Sequence, residues 1–417
     1  MAMAMAMAMA VPFSSSLRAA PQPRLSTSFR SSPSSLGSCC CSCFSRQRHR
    51  SSQPKRLRAG RRFSPVSALY VDDDEDYLVD APISKGDGFS FTGGKYSDEK
   101  DPSDEWFAKG KMVNAYQVQA TPGTAKEPIF GLAMGEASQT LEDTFRWFCV
   151  EEGDQNKPSV LLLHGLPSQA YSFRKVLPVL SSDHHVVALD WLGFGFSDKP
   201  QVDLGFKYTR TEYAEALKSV VEALNIERTA IVVQGYFAPA VVQFASTNQD
   251  KVSQLILINP PLTEKHTKLP SALSCFSTFL LGDIFAQDPL RASDKPLTDC
   301  GPYILDEEDA MVYRRPYLSS GAAGFSLTAI TRALARELKD SVTFLRKTLA
   351  SNEWSRPTYI LWGTKDRWLE ISGVEESAST MNIEVLSLSE VGHHAQEDYG
   401  EEVGLIVHKL LKKFVYA

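Results

Sequence analysis

Short, almost unbroken runs of apolar residues recur after residue 128, and polar or helix-like stretches separate them. The runs are FRWFCV (145–150), SVLLL (159–163), HVVAL (185–189), TAIVV (229–233), QLILI (254–258), TYILW (358–362) and IEVLSL (383–388). Strands that are apolar throughout are typical of a parallel sheet covered by helices on both faces. The pattern therefore predicts an α/β fold built on a doubly wound, mostly parallel sheet.

One of the intervening stretches, YTRTEYAEALKSVVEALN, has the signature of an amphipathic helix. Thr209 stands three residues before Glu212 in a capping-box pattern, and the apolar residues that follow recur at helical spacing. We expect this helix to lie on the sheet just ahead of the strand TAIVV.

The strand rhythm stops between residues 262 and 350, where helix-like stretches take over. An insertion between two strands of such a sheet is best interpreted as a helical cap over the carboxyl edge, where these folds bind ligands. Within it, the stretch FSTFLLGDIF is strongly apolar and is expected to roof an apolar pocket. The side chains expected to face that pocket are Phe276, Phe279, Leu280 and Ile284.

Composition divides the chain before this core. The first 67 residues are Ser-rich and contain 11 Lys or Arg but no Asp or Glu, which is typical of an organelle transit peptide. We expect cleavage near SPVSA (64–68) and delivery to a plastid, with the mitochondrion as the alternative. A basic nucleic-acid-binding tail is disfavoured by the Ser content and by the abrupt change to VDDDED.

Residues 69–127 are acidic and polar and have too few apolar side chains to fold alone, so they are predicted to be a linker or extension. No element is assigned to residues 111–127. The core is then expected to comprise residues 128–261 and 351–417, interrupted by the cap at 262–350.

Charge and cysteine content exclude several functions. Removing the 11 basic N-terminal residues from the total of 44 leaves 33 against 50 acidic residues, a formal charge of −17, which disfavours nucleic-acid binding. Outside the CCCSC run at 39–43, only Cys149, Cys275 and Cys300 remain, too few and too scattered for a disulfide framework or zinc site. No apolar run is long enough to span a bilayer. No metal or organic cofactor is predicted.

Chemistry-bearing motifs follow successive strands. SVLLL precedes HGLPSQAYSFRKVLP, HVVAL precedes DWLGFGFSDKP, and VVQ (232–234) ends the strand before a predicted sharp turn. In this order and spacing the motifs resemble haloalkane dehalogenases and epoxide hydrolases of the α/β-hydrolase superfamily over residues 128–417. A dinucleotide-binding loop at GFGFSD (193–198) is disfavoured, because Asp198 replaces the third glycine of that motif.

The resemblance implies a role for each motif. The backbone N–H groups of Leu166 and Tyr236 would stabilise a developing anion. Asp366, in LWGTKDRWL, would be the acid that orients the base His393 in EVGHHAQED, with His394 as the neighbouring candidate. The remaining residues expected around a small apolar substrate are His164, Gly165, Phe237 and the cap residues Tyr313 and Tyr317.

One position departs from the resemblance. Family members carry Asp or Ser directly after the one-residue spacer that follows the strand, and in this chain that position is Gly235. Glycine suits the strained turn but removes the attacking atom. Phe237 also stands where a small residue is expected. Displaced nucleophiles at Tyr236, Ser168 or Ser246 are weaker possibilities.

Two hypotheses follow. In one, the protein is an enzyme in which His393, oriented by Asp366, takes a proton from water or substrate without a covalent intermediate. In the other, it is a catalytically inactive ligand-binding or scaffold protein of the same fold. The His393 and Asp366 pair favours the first hypothesis, and Gly235 with Phe237 favours the second.

Overall fold

The structure is a computed structural model that describes residues 101–117, 144–202 and 205–415. The predicted transit peptide and most of the predicted linker lie outside the described residues. Within the described ranges, every helix is too short or too polar to cross a membrane.

Among the described residues, eight strands form a single sheet. They are β1 (Gly110–Gln117), β2 (Thr144–Glu152), β3 (Ser159–Leu163), β4 (His185–Leu189), β5 (Thr229–Gln234), β6 (Val252–Ile258), β7 (Thr358–Gly363) and β8 (Glu384–Leu388). Their order is β1-β2-β4-β3-β5-β6-β7-β8. The strands from β3 to β8 pair in parallel, whereas β1 and β2 run antiparallel to their neighbours. All seven predicted apolar strands are confirmed, and so is the mostly parallel sheet.

Helices cover both faces of the sheet. In chain order they are α1 (Pro102–Lys109), α2 (Leu177–Ser181), α3 (Arg210–Ala223), α4 (Ala238–Thr247), α5 (Ser271–Ser277), α6 (Leu281–Phe285), α7 (Lys295–Asp299), α8 (Glu307–Ser319), α9 (Ala322–Leu349), α10 (Val374–Thr380), α11 (Ala395–Asp398) and α12 (Gly400–Val415). The predicted capping box of Thr209 and Glu212 is present at the start of α3. Helices α5 to α9 all lie between β6 and β7 in the chain, which makes them the cap.

The sheet begins earlier in the chain than the sequence analysis placed it. Residues 111–117 were left unassigned within the predicted linker, but they form most of β1, which pairs with β2. The side chain of Asp101 caps the preceding helix α1 by accepting from Ser103 N–H at 2.9 Å. The apolar signal is weak here because β1 is an edge strand in which only Ala115 is fully buried.

The roof predicted from FSTFLLGDIF is only partly correct. Phe276 is buried, but Phe279, Leu280 and Ile284 are 79%, 61% and 65% exposed. The chain turns after α5 at Leu280, whose φ is +60°, and the backbone of Gly282 then packs directly against the carbonyl of Phe276. The three side chains therefore face solvent instead of a pocket.

Candidate active site

A sharp turn after β5 forms the centre of the candidate site. Gly235 follows the strand with φ +67°, begins a 3₁₀ turn (Gly235–Phe237) and leads directly into α4. Strands β3 and β5 are parallel neighbours, with Leu163 paired to Val233. The segments that follow these two strands therefore lie side by side. This brings residues 164–167, which we call the HGLP loop, next to the turn.

His393 and Asp366 form a buried pair beside this turn. Nδ1 of His393 lies 2.8 Å from Oδ2 of Asp366, and the two side chains are 0% and 1% exposed. The other carboxylate oxygen accepts hydrogen bonds from the N–H groups of Trp368 (2.7 Å) and Leu369 (2.9 Å). These donors hold the carboxylate as an acceptor, so the proton of the neutral imidazole resides on Nδ1.

Asn259 fixes the pair from the end of β6. Its side-chain amide donates to Oδ2 of Asp366 at 2.7 Å and accepts from the N–H of Gly363 at 2.9 Å. Asn259 directly follows a buried strand, as Gly235 does. A polar residue at the end of such a strand is the sequence signal that could have indicated Asn259. We therefore add Asn259 to the residues of the site.

The free nitrogen of His393 is directed at Gly235. Nε2 is buried and has no hydrogen-bond partner among the described residues. A Cβ atom built on Gly235 would lie 3.0 Å from Nε2, closer than side chains normally pack. The imidazole thus lies next to the space that the Cβ atom of a nucleophilic residue would occupy.

Aromatic rings surround the imidazole. The ring centres of Trp368, His394 and Tyr236 lie 5.0, 5.2 and 5.7 Å from that of His393. Within the part of the chain that the structure describes, the Tyr236 hydroxyl is buried without a hydrogen-bond partner, and burial raises its pKa well above the ordinary value. Burial lowers the pKa of His394 well below the ordinary value, so that this imidazole stays neutral. The three side chains His393, His394 and Tyr236 are thus shielded from bulk solvent.

The HGLP loop packs tightly against the turn. A Cβ on Gly165 would overlap the side-chain oxygen of Gln234, so a larger residue there would displace the Gln234 amide. Gln234 also donates to the carbonyl of His393 at 2.8 Å, which links the turn to the loop that carries the base. Leu166 is buried and precedes a cis peptide bond to Pro167.

Two residues predicted to face substrate lie instead in the core. Nε2 of His164 accepts from the N–H of Trp191 at 3.1 Å, and burial lowers the pKa of His164 to about 3. The ring of Phe237 stacks on Trp191 at 4.8 Å and meets the edge of Tyr213 at 5.0 Å. Phe237 is therefore part of a buried aromatic cluster.

A small cavity lies between the HGLP loop and the cap. Its lining includes Ser168, Phe194, Tyr313 and Tyr317, but neither Gly235 nor His393. Its volume of about 10 Å³ is enough for about one water molecule. The two cap tyrosines therefore lie where the sequence analysis expected a pocket, but the space there is too small for an organic substrate.

A comparison with known families identifies the fold. A model of the family described as alpha/beta hydrolase fold matches residues 158–399. The chain belongs to the α/β-hydrolase family. The described site residues from His164 to His393 all lie within the matched range.

Several relatives of this α/β hydrolase have named activities. It is 25% identical over 275 residues to Epoxide hydrolase 1 of Caenorhabditis elegans, covering 64% of this chain and 67% of that protein. It is 30% identical over 135 residues to a haloalkane dehalogenase of Mycobacterium marinum, covering 32% of this chain and 45% of that protein. The crystal structure of haloalkane dehalogenase DbeA from Bradyrhizobium elkani has a TM-score of 0.59 and 19% identity, covering 74% of this chain and 99% of that chain. The structural likeness shows the fold.

A buried polar network, missed by the sequence analysis, connects the cap of this α/β hydrolase to the loop that carries His393. Tyr313, on α8, donates its hydroxyl proton to Glu397 on α11, four residues after the base. Arg174 donates to Glu397 at 2.7 Å and to the cap carboxylate Asp309. Tyr171 and Tyr303 also donate to Asp309. These partners are far apart in sequence, so no local pattern indicates the network.

Proposed function

We propose that this protein is a hydrolase in which His393, oriented by Asp366, activates water directly, without a covalent enzyme intermediate. The observation that carries the proposal is the asymmetry of the imidazole: Nδ1 is bound to a fixed carboxylate, and Nε2 is buried without a partner beside Gly235. A group held in this way is suited to general-base catalysis.

The proposed step balances without any protein nucleophile. Nε2 of His393 takes a proton from water while the water oxygen bonds to an electrophilic carbon of the substrate. The N–H groups of Leu166 and Tyr236 stabilise the negative charge that develops on the substrate oxygen. The imidazolium then gives this proton to the leaving oxygen as the bond between that oxygen and the attacked carbon breaks. The net reaction is addition of one water molecule.

The proposed substrate is small and apolar. The relatives named above are epoxide hydrolases and haloalkane dehalogenases, but the missing side chain at residue 235 makes esters and lactones better candidates. Their carbonyl oxygen can use the two backbone donors, and water can attack without a prior alkyl-enzyme bond. Because the cavity volume is about 10 Å³, the cap or the HGLP loop has to move before such a substrate enters.

Displaced nucleophiles receive little support. Burial raises the pKa of Tyr236 and of Cys300 far above neutrality, so both groups remain protonated and weakly reactive. Ser246 donates its hydroxyl to the carbonyl of Gln243 at 2.9 Å within α4. Ser168 lines the cavity, but its hydroxyl is not hydrogen-bonded to an imidazole.

A second candidate function is ligand binding without catalysis. The glycine at residue 235 favours it, because the turn then carries no nucleophilic side chain. On this alternative the His393 and Asp366 pair would serve only as a buried polar contact between the loops after β7 and β8.

The test is a comparison of the protein with His393→Ala on a panel of small esters, lactones, epoxides and haloalkanes. His394→Ala is the matched control, because His394 is an equally buried imidazole in the same loop but is not hydrogen-bonded to Asp366. The proposal expects turnover that His393→Ala lowers at least about 100-fold and His394→Ala lowers far less. Absence of turnover across the panel, together with saturable ligand binding, would establish the binding function instead.

A further inference from the structure

The outer surface of the cap carries a cluster of exposed apolar side chains, which we call the cap tip. It consists of Phe279, Leu280, Leu281 and Ile284, whose exposures are 79%, 61%, 51% and 65%. Three of the four are consecutive, so the apolar surface is contiguous. Isolated exposed apolar residues are ordinary, but a contiguous cluster of this kind marks an interaction surface.

The backbone holds these side chains outward at a conformational cost. Leu280 has φ +60° and ψ −51°, and the N–H of Leu281 donates to the carbonyl of Phe279 at 2.8 Å, which closes a γ-turn. This backbone conformation is unfavourable for leucine, and exposure of its apolar side chain to water is unfavourable as well. Because the turn exposes the leucine and buries little apolar surface, stability of the fold does not account for it.

Charge at the cap tip favours an electrically neutral partner. Asp283 is the single charged residue between residues 279 and 285, and it is paired with Arg332 on α9 at 2.9 Å. The next charged residues along the chain, Asp288 and Arg291, pair with each other at 3.2 Å. The charges of this stretch of the chain are therefore neutralised in ion pairs, which favours a partner that is not recognised by charge.

The area of the cap tip is small for a protein interface. Four side chains of this size and exposure present roughly 500 Å², below the approximately 800 Å² that each partner contributes to a standard stable dimer. A deformable apolar layer can cover a small apolar surface without a matching protein face. From area and charge together, we propose that the cap tip docks the protein on the surface of an electroneutral lipid bilayer.

Vesicle flotation of the full chain tests this proposal. Pure phosphatidylcholine vesicles are the probe, because the basic N-terminal segment can bind anionic lipid on its own. Phe279→Asp with Ile284→Asp is the test variant, and both positions are exposed enough for the fold to tolerate the change. Ile304→Asp is the matched control, since Ile304 is 86% exposed and lies between α7 and α8, outside the cap tip.

The expected result is that wild type and Ile304→Asp float with the vesicles, and that partitioning of the double variant falls at least about tenfold. Three results would overturn the proposal. They are no flotation of the wild type, equal flotation of the double variant, or a lipid-independent dimer in sedimentation that only the double variant disrupts. The last of these would assign the cap tip to a second copy. Melting temperatures check that all variants are folded.

Discussion

The contact between residue 235 and His393 leads to a quantitative prediction. Replacing Gly235 with Ala places a Cβ atom 3.0 Å from Nε2 of His393 while the backbone holds φ +67°. The left-handed conformation alone costs a residue with a side chain roughly 1–2 kcal/mol. Displacing the packed imidazole adds about 1–3 kcal/mol, as overpacking in a core does. We therefore expect Gly235→Ala to lower the free energy of unfolding by about 2–5 kcal/mol.

Gly373→Ala is the control that separates the two contributions. Gly373 has φ +82°, and the nearest atom to a Cβ there is Cγ2 of Thr263 at a comfortable 3.6 Å. This variant should show only the conformational cost of about 1–2 kcal/mol. Urea unfolding of both variants, and of Gly235→Ala combined with His393→Ala, measures the difference.

The combination is expected to show a coupling energy of about 1–3 kcal/mol, because removal of the imidazole removes the clash. If Gly235→Ala costs no more than Gly373→Ala, or if the combined variant is simply additive, the imidazole does not occupy the space in question. The account of the turn would then be wrong.

Three further predictions concern other parts of the chain. Burial lowers the pKa of His164 to about 3, below the unfolded value near 6.5. Between pH 6 and pH 4 the unfolded chain therefore binds one more proton at this residue, and the free energy of unfolding falls by about 1.4 kcal/mol for each pH unit of acidification. His164→Gln should abolish this contribution, which urea unfolding at several pH values measures. Arg174→Met should cost about 3–5 kcal/mol by leaving the buried Glu397 without its ion-pair partner, whereas exposed Arg291→Met should cost less than about 1 kcal/mol. We propose that residues 1–68 direct plastid import, and their deletion should abolish import of a fluorescent fusion into isolated plastids.

The order of motifs along the chain made much of the site predictable. Gly235, Asp366 and His393 each lie after the carboxyl end of a predicted strand, and parallel strands bring such positions to one edge of the sheet. Asn259 occupies an equivalent position, but no motif distinguished it from an ordinary loop residue. The Tyr313 contact with Glu397 depends on how the cap packs on the core, which no local sequence pattern encodes.

The errors have physical reasons as well. Strand β1 is an edge strand, so its alternating polar residues resemble a loop. Phe279 was expected to face inward because it is apolar, yet apolar residues contribute much of every protein surface. Phe237 was assigned to the pocket from its position in the chain, but its ring packs against Trp191 and Tyr213 in the core.

The most direct test of the proposed mechanism is intact-protein mass spectrometry on reactions quenched during turnover of the best substrate from the panel. The account predicts product formation that requires His393 and a protein mass that stays unmodified at every time point. A stoichiometric acyl or alkyl adduct on any side chain would show that a covalent nucleophile exists after all, and would contradict the assignment of Gly235 as a vacant nucleophile position.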